Sequence, residues 1–418
     1  MNATVGPNAH HLSRRMAVVV FLAFALAYFF SALLRAITAT LSPVLTQELG
    51  LQAQDLGLLA GGYFLGFSLT QLPLGRWLDR YGPRGVVLAF LAVAVLGCLA
   101  FAQADSFTGL LVARMLCGVG VSACLMAPLT GYRRWFNAST QLRTNSWMLM
   151  TGSMGMVAAT LPVQWLLPLW GWRAMFVAMA VCIGISMLGI RLLVPAWQRT
   201  APAAQTVTAD DGGYGEVWRN RYFWRMTPLG FFSYGGMVAI QTLWAGPWMT
   251  QVAGWTALQA ATGLFAINLS MLVTFWLWGW VTPALTRRGI HVDMLLARGF
   301  PLSLVVVLAL VWVGPSAGAG AAALLAAFCV CSSFGSLAQP AVGMAFPAHL
   351  AGRALSAYNL VIFAGILVVQ WGIGRGVDLA PGLGFDTVQA YQIAFGAFGI
   401  CSLLSWLFFL LFRADNRS

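Results

Sequence analysis

The chain has 418 residues, of which 60% are hydrophobic and only 8% charged. A soluble globular chain carries about 25% charged residues. So few charges could not cover the surface of a soluble body this size, which excludes a cytosolic enzyme and a disordered protein. A mean hydropathy of +0.80 agrees with a chain that crosses a membrane many times.

All 23 basic residues are arginine; with 11 acids they leave a net charge of +12. They stand one to three at a time between apolar stretches, as at Arg14-Arg15, Arg133-Arg134 and Arg287-Arg288. That spacing suits loops facing an anionic leaflet rather than a phosphate-binding face, so no nucleic-acid partner is expected. The seven cysteines (98, 117, 124, 182, 329, 331 and 401) all fall inside apolar stretches. An odd, scattered set is neither a disulfide frame nor a zinc site; these read as small core residues.

A hydrocarbon core of about 30 Å takes roughly 20 apolar residues per helix. The first such run, near 16–40, follows Ser13-Arg14-Arg15. It is longer than the apolar part of a secretory signal, no small-residue cleavage site closes it and eleven more runs follow, so it reads as a helix. The next runs lie near 53–73, 86–104, 107–131, 144–167 and 172–194. After a polar stretch, 195–222, come runs near 223–249, 257–282, 293–313, 318–346, 354–377 and 388–412. The expectation is an all-α membrane protein of twelve transmembrane helices in two pseudo-symmetric six-helix halves, 1–194 and 223–418, joined by a cytoplasmic linker, 195–222.

With the N-terminus inside, 19 of the 23 arginines fall on inner segments; the others are Arg35, Arg114, Arg173 and Arg375. That bias places both termini in the cytoplasm. Gly82 and Gly289 close matching short loops 207 residues apart, and Arg143 and Arg353 open runs 5 and 11, 210 apart. Repeats of about half a chain mark secondary transporters, with a binding site near the midplane between them.

After the second run the chain reads Gly75-Arg-Trp-Leu-Asp79-Arg80-Tyr-Gly82-Pro-Arg84. Gly82 permits a tight turn between helices. Asp79 can pair with Arg80 or Arg84 or face a helix N-terminus, making a clasp that locks one conformation and releases another. Run 4 carries Arg114-Met-Leu-Cys117-Gly118-Val-Gly120. These two segments resemble the signature loop and the arginine-plus-glycine motif of the major facilitator superfamily, with Cys117 where glutamine is usual. Trp172-Arg173, Gly352-Arg353 and Leu243-Trp244-Ala-Gly246-Pro247-Trp248 are similar to that family as well. The resemblance covers nearly the whole chain and implies that fold, with transport by alternating access across a bacterial-type inner membrane. Drug antiporters of the family carry a Gly-Pro motif in the fifth helix, which Gly152-Ser-Met-Gly155 through Pro162 lacks. In run 2, Gly57-x-x-x-Gly61 and Gly62-x-x-x-Gly66 let helices approach closely, either as a sliding contact between halves or as static packing.

The resemblance also implies that helices 1, 4, 7 and 10 line the central cavity. The candidate substrate contacts are then Arg35, Arg114, Tyr234, Gln241, Trp244, Ser333 and Gln339, with Asn359 on the eleventh helix. An arginine inside hydrocarbon costs several kcal/mol unless paired or wet, which makes it a functional candidate. Guanidinium binds carboxylate in a bidentate way. Arg35 and Arg114 fall at similar depths on neighbouring helices; the competing readings are snorkelling for Arg35 and helix packing for Arg114. The pair is similar to the pattern of the family's organic-anion branch, but the acids that handle the coupling proton there are replaced by Leu34 and Val121. Run 7 is interrupted by Gly235-Gly236 and Pro247, and broken helices expose backbone to a cavity. Trp244 is expected to face that cavity and Trp248 to join an interfacial belt.

None of the eleven acids lies in the middle third of an expected helix; Asp55 and Asp105 come nearest the outer cavity. Transport is therefore not expected to run on a proton-carrying carboxylate in the membrane core. The sequence has no Walker loop, no metal-spaced cluster and no nucleophile arrangement, so no enzyme activity, cofactor or metal is expected. The expected partners are a small-molecule substrate and the lipid bilayer, with the chain as a monomer. The preferred function is transport of a small organic anion. The alternatives are efflux of hydrophobic or drug-like compounds and a non-transporting sensor of the same fold.

Overall fold

A computed structural model describes residues 12–136, 138–196, 214–313 and 316–412. Most of the expected linker, 197–213, lies outside these residues. "Inner" and "outer" below follow the arginine bias, the inner end being the one where α1 begins.

α1 runs Arg14–Leu49. Ser13 caps it by accepting from the Met16 N–H, and Gly50 ends it in the left-handed region at φ 64°. At 1.5 Å per residue its 36 residues reach about 54 Å, longer than a bilayer core, so its ends stand clear of the hydrocarbon. α2 is Ala53–Leu69, α3 Arg80–Gln103 and α4 Phe107–Arg133. α5 is Ala138–Ala158 and α6 Leu161–Leu193. The first part of α6 continues α5 past a kink, and the chain turns back at Gly171 (φ 68°, ψ 161°). After a short helix, Tyr214–Arg219, residues 221–251 form α7. α8 is Ala257–Arg287, α9 Val292–Trp312, α10 Gly318–Met344, α11 Ala348–Leu379 and α12 Thr387–Leu411.

Among the described residues, nine of these helices are long and apolar enough to cross a membrane. The exceptions are α2, α5 and α7. α2 has 17 residues, α5 opens on the polar run Ser139-Thr-Gln-Leu-Arg143, and α7 is interrupted. The outward faces are apolar: Leu169 is 75% exposed, Trp280 70% and Trp312 80%. Large apolar side chains displayed on that scale suit contact with lipid.

Left-handed glycines recur in corresponding loops. Gly50 and Gly254, Gly82 and Gly289, and Gly171 and Gly384 all have φ between 64° and 85° and stand 204, 207 and 213 residues apart. Gly82 combines φ 75° with ψ 161°, a region essentially closed to side chains. Gly82→Ala should therefore cost about 1–3 kcal/mol of stability. Gly75→Ala, with nothing within 4 Å of a new Cβ, should leave thermal stability unchanged. Melting temperatures of the two purified variants test the contrast.

The glycine pairs of α2 divide their work. A Cβ on Gly57 would lie 2.4 Å from the Gln370 carbonyl oxygen, and one on Gly61 would lie 2.4 Å from Leu367 Cδ1, both on α11. One on Gly62 or Gly66 would instead strike Leu111 or Met115 of α4. The first pair thus joins α2 to the α7–α12 group, and the second packs it within its own group. Further out, the carboxylate of Asp378 on α11 accepts from the Ala53 N–H at 3.1 Å and the Gln54 N–H at 2.7 Å. Arg375 donates to Gln54 Oε1 at 2.9 Å. Asp378 therefore supplies acceptors for the orphan donors that begin α2. With Gly374 set against the Ala53 carbonyl and Gly246 of α7 against that of Ala39, the outer ends of the two groups are drawn together.

Candidate functional site

Two guanidinium groups sit in the middle of the bundle. Arg114 of α4 is 1% exposed. It donates to the Leu34 carbonyl at 2.9 Å and to Thr38 Oγ1 at 2.7 Å, both on α1. The glycines that follow bring α4 close to its neighbours. A Cβ on Gly118 would lie 1.9 Å from the Tyr63 carbonyl oxygen, and one on Gly120 would lie 2.1 Å from the Ala94 nitrogen. Beside them the thiols of Cys98 and Cys117 meet at 3.9 Å. The Arg114, Gly118 and Gly120 motif thus joins α4 to α1, α2 and α3 respectively.

Arg35 of α1 is different. It is only half-buried. Its guanidinium carbon lies 5.9 Å from the Phe67 ring centre, and the phenols of Tyr28, Tyr63 and Tyr234 are its polar surroundings. Its Nε is buried with no partner, as is that of Arg114. The group points into the bundle and does not snorkel to headgroups. Tyr63 stands between the two arginines: its ring is 5.2 Å from the Arg114 guanidinium and its hydroxyl donates to the Ser31 carbonyl at 3.1 Å.

Among the described residues, the ion pairs lie at the ends of the bundle. Arg173 joins Glu48 and Asp105 at the outer end, and Arg225 meets Asp293 at 2.5 Å at the inner end. Among the described residues, neither of these two arginines has a carboxylate at pairing distance. Two cations held in a low-dielectric core without counter-ions are costly, and a bound anion would relieve that cost.

Irregular segments pack close to Arg35. In α7, two wide π turns, Leu229–Tyr234 and Ile240–Trp244, flank Gly235-Gly236. In α10 a tightened 3-10 stretch, Ser333–Leu337, faces them. A Cβ on Gly335 of that stretch would lie 3.0 Å from Tyr234 Cβ, so Tyr234 is set by the meeting of two irregular segments. Irregular turns inside membrane helices gather at functional sites.

Of the eight expected substrate contacts, Arg35 and Tyr234 come together across the two helix groups. The rest are held by partners. Gln241 donates to Asn268 at 3.0 Å, and Trp244 is fully buried with its indole N–H on the Gln370 carbonyl at 3.0 Å. Ser333 accepts from the Trp278 indole at 2.8 Å, and Gln339 donates to Asn359 at 2.5 Å. Trp248 is 2% exposed; it is interior and does not belong to an interfacial belt, because the Gly246 contact with α1 draws this part of α7 inward. Asp55 accepts from the Gln52 N–H at its own helix start, and Asp105 is 84% exposed on Arg173, so neither faces Arg35.

In the signature loop, Arg84 donates to the Val194 carbonyl at 3.0 Å, capping the end of α6. Arg80 is exposed, its guanidinium 5.3 Å from the Tyr81 ring. Gly75 is exposed too; the side chain of Asp79 lies outside what is described. Among the described residues, no three His, Cys, Asp or Glu side chains gather where a metal could bind. The sequence reading missed Tyr28, Tyr63 and Phe67. Tyr28 lies two turns from Arg35 on one face of α1, the spacing that could have shown it. Asp378 gave no such signal, since its partners lie on α2.

The sequence profile described as Major Facilitator Superfamily matches residues 24–370. A probable L-galactonate transporter of Escherichia coli (strain K12) is 26% identical over 208 residues, 47% of this chain and 42% of that protein. A chloramphenicol resistance protein of Streptomyces lividans is 31% identical over 171 residues, 40% of this chain and 42% of that protein. The chain thus spans less than half the length of these relatives. Among solved structures, a bacterial homologue of the human lysosomal transporter Spinster, in an inward-facing, unoccupied conformation, superimposes with a TM-score of 0.76. It is 16% identical, and the match covers 96% of this chain and 97% of that one. The profile match over most of the chain, the recurring loop glycines and the shared fold lead to one conclusion: the chain belongs to the Major Facilitator Superfamily.

Proposed function

We propose that this protein is a secondary transporter that moves a small organic anion across a bacterial inner membrane by alternating access. Arg35 is the group that grips the anion. The observation that carries this reading is a half-buried guanidinium that faces aromatic rings and, among the described residues, has no carboxylate partner. It stands where the two helix groups meet, next to a second uncompensated arginine. The relative named for L-galactonate, a carboxylate, supports it. In this reading α2, α5 and α7 also cross the membrane, giving twelve spans in two halves, 1–194 and 223–418. The protein works as a monomer without a cofactor, and Gln339 and Asn359 join the site when the halves rock. Because the described acids sit at helix ends, uniport or exchange of one anion for another fits better than a core carboxylate that carries protons.

Arg35→Gln should weaken anion binding roughly 10- to 150-fold, the worth of a charge-assisted hydrogen bond of about 1.5–3 kcal/mol. Arg114→Gln should mainly lower the melting temperature, because it unmakes a fully buried contact with α1. Titration calorimetry and thermal melts on both proteins check this; unchanged anion affinity in Arg35→Gln would sink the reading. The chloramphenicol-resistance relative favours a second reading, efflux of apolar compounds, under which hydrophobic cations, not anions, would stabilise the purified protein.

We further propose that both termini and the linker face the cytoplasm. A single cysteine at Ala204, in a background cleared of the native thiols, should resist an impermeant maleimide applied from the periplasmic side. It should react once the membrane is opened.

A further inference from the structure

We infer that the recess between the α8–α9 turn, α9 and α10 holds one anionic phospholipid from the leaflet around the inner ends, with its phosphate on Arg298 and its acyl chain in the recess. This site is independent of which solute the bundle carries.

The recess has a volume of about 270 Å³ and is lined by Ile290, Met294, Leu295, Arg298, Gly299 and Phe334. Apart from Arg298 its lining is apolar, so the space suits hydrocarbon rather than a hydrated ion. Gly299 admits the Phe334 ring: a Cβ there would lie 2.8 Å from three of its atoms. Without one, the ring lies against α9, with Trp278 edge-on to it at 5.0 Å, and forms the floor.

Arg298 lies six residues past the start of α9, about 9 Å along the helix. It is exposed. Leu302 and Val305, one and two turns further along the same face, are 54% and 63% exposed. This face of α9 therefore looks into lipid, and Arg298 stands on it near the depth of the inner headgroups. Among the described residues, no ion pair includes Arg298. The acid at the start of α9, Asp293, is taken by Arg225 at 2.5 Å and by the Tyr222 hydroxyl at 2.9 Å. Arg287 and Arg288, both exposed, close α8 just before Ile290. They add positive charge at the same end.

A guanidinium on a lipid-facing surface is costly unless it meets an anion. Phosphate meets it in the bidentate manner, and basic pockets between membrane helices on the cytoplasmic side hold anionic headgroups. Free phosphate would satisfy Arg298 but not the apolar recess beside it. A phospholipid satisfies both at once, and a headgroup of net negative charge gains most from the three arginines.

Native mass spectrometry of the full-length protein, stripped of lipid in detergent, tests the site by titration with phosphatidylglycerol and phosphatidylcholine. The first phosphatidylglycerol should bind at least tenfold tighter than phosphatidylcholine, and an equal concentration of inorganic phosphate should not displace it. Arg298→Gln should abolish that preference. Met294→Trp, which fills the recess, should weaken both lipids several-fold. Arg191→Gln, at an exposed inner arginine of α6, should leave the preference as it is. Arg298 and Met294 lie on the surface, so lipid-free melting curves of these variants should match the parent. Equal losses in Arg298→Gln and Arg191→Gln would mean that inner arginines attract anionic lipid in general, and would overturn the site. Equal binding of the two lipids would overturn it too. Displacement of phosphatidylglycerol by inorganic phosphate would mark a free-anion site and overturn the lipid assignment.

Discussion

Gly118→Ala should remove most of the folded protein. The new Cβ would sit 1.9 Å from the Tyr63 carbonyl oxygen and 2.8 Å from its carbon. These are backbone atoms of α2, so no side chain can rotate out of the way. To admit the methyl group, α4 must part from α2 by more than an ångström. That shift breaks the seat of Arg114 on Leu34 and Thr38 and the thiol contact of Cys98 with Cys117. Overpacking a tight interior costs typically 1–3 kcal/mol, and the loss of a buried arginine's partners adds to it. An expected loss of about 3 kcal/mol or more places the variant among severe mutations. Size-exclusion profiles and melting curves in detergent measure it, with Gly75→Ala as the control. A Gly118→Ala protein that melts within a few degrees of the parent would show that α2 and α4 do not approach as closely as described.

The second large effect concerns the outer contact between the helix groups. Asp378 takes two backbone N–H groups of α2, and Gly57 lies against the α11 backbone at Gln370. Both contacts must break when the outer ends separate, so they stabilise the outer-closed state and not its alternative. Asp378→Ala removes two charge-assisted hydrogen bonds, and roughly 1.5–3 kcal/mol is a fair magnitude for such a group. That shifts the two-state balance about 10- to 150-fold towards outer-open. Gly57→Leu should shift it further, because its side chain occupies the space of the Gln370 carbonyl. Spin labels at Trp170 and Leu383, both exposed and near the outer loop glycines of α6 and α12, should report longer distances in both variants by pulsed dipolar spectroscopy. Distance distributions identical to the parent would refute the role assigned to these contacts. Gly62→Leu provides the contrast, since Gly62 faces α4 of its own group; it should lower stability without lengthening that distance.

These effects show what could and could not be read from the chain. The Gly57 and Gly62 pairs look alike in sequence, five residues apart on one helix. A helix turns 100° per residue, so the two pairs look in different directions, but only the docked neighbours decide that one meets α11 and the other α4. The two arginines pose the same problem. Both stand in apolar runs and both read as anion-binding candidates. In the fold Arg114 meets a carbonyl and a hydroxyl of α1, and Arg35 meets rings. The tryptophans of α7 follow suit: Trp248 reads as interfacial from its place near a helix end, but the close approach of Gly246 to Ala39 takes it into the interior.

By itself the sequence determined the properties that depend on neighbours in the chain. Runs of apolar residues without lysine specify helices suited to lipid, and the arginine bias between them carries the expectation of sidedness. Glycines at Gly82 and Gly289 specify where the chain must turn, because φ near 75° excludes side chains whatever surrounds them. The tertiary structure alone decided the pairings between residues far apart in the chain. These are Arg114 with Leu34 and Thr38, Asp378 with the start of α2, and Arg35 with the rings of Phe67 and Tyr234. The physical reason is that helix formation and hydropathy are local, summed over neighbouring residues. Whether a buried charge finds a partner depends on the rotation and approach of helices that small residues far away in the sequence permit.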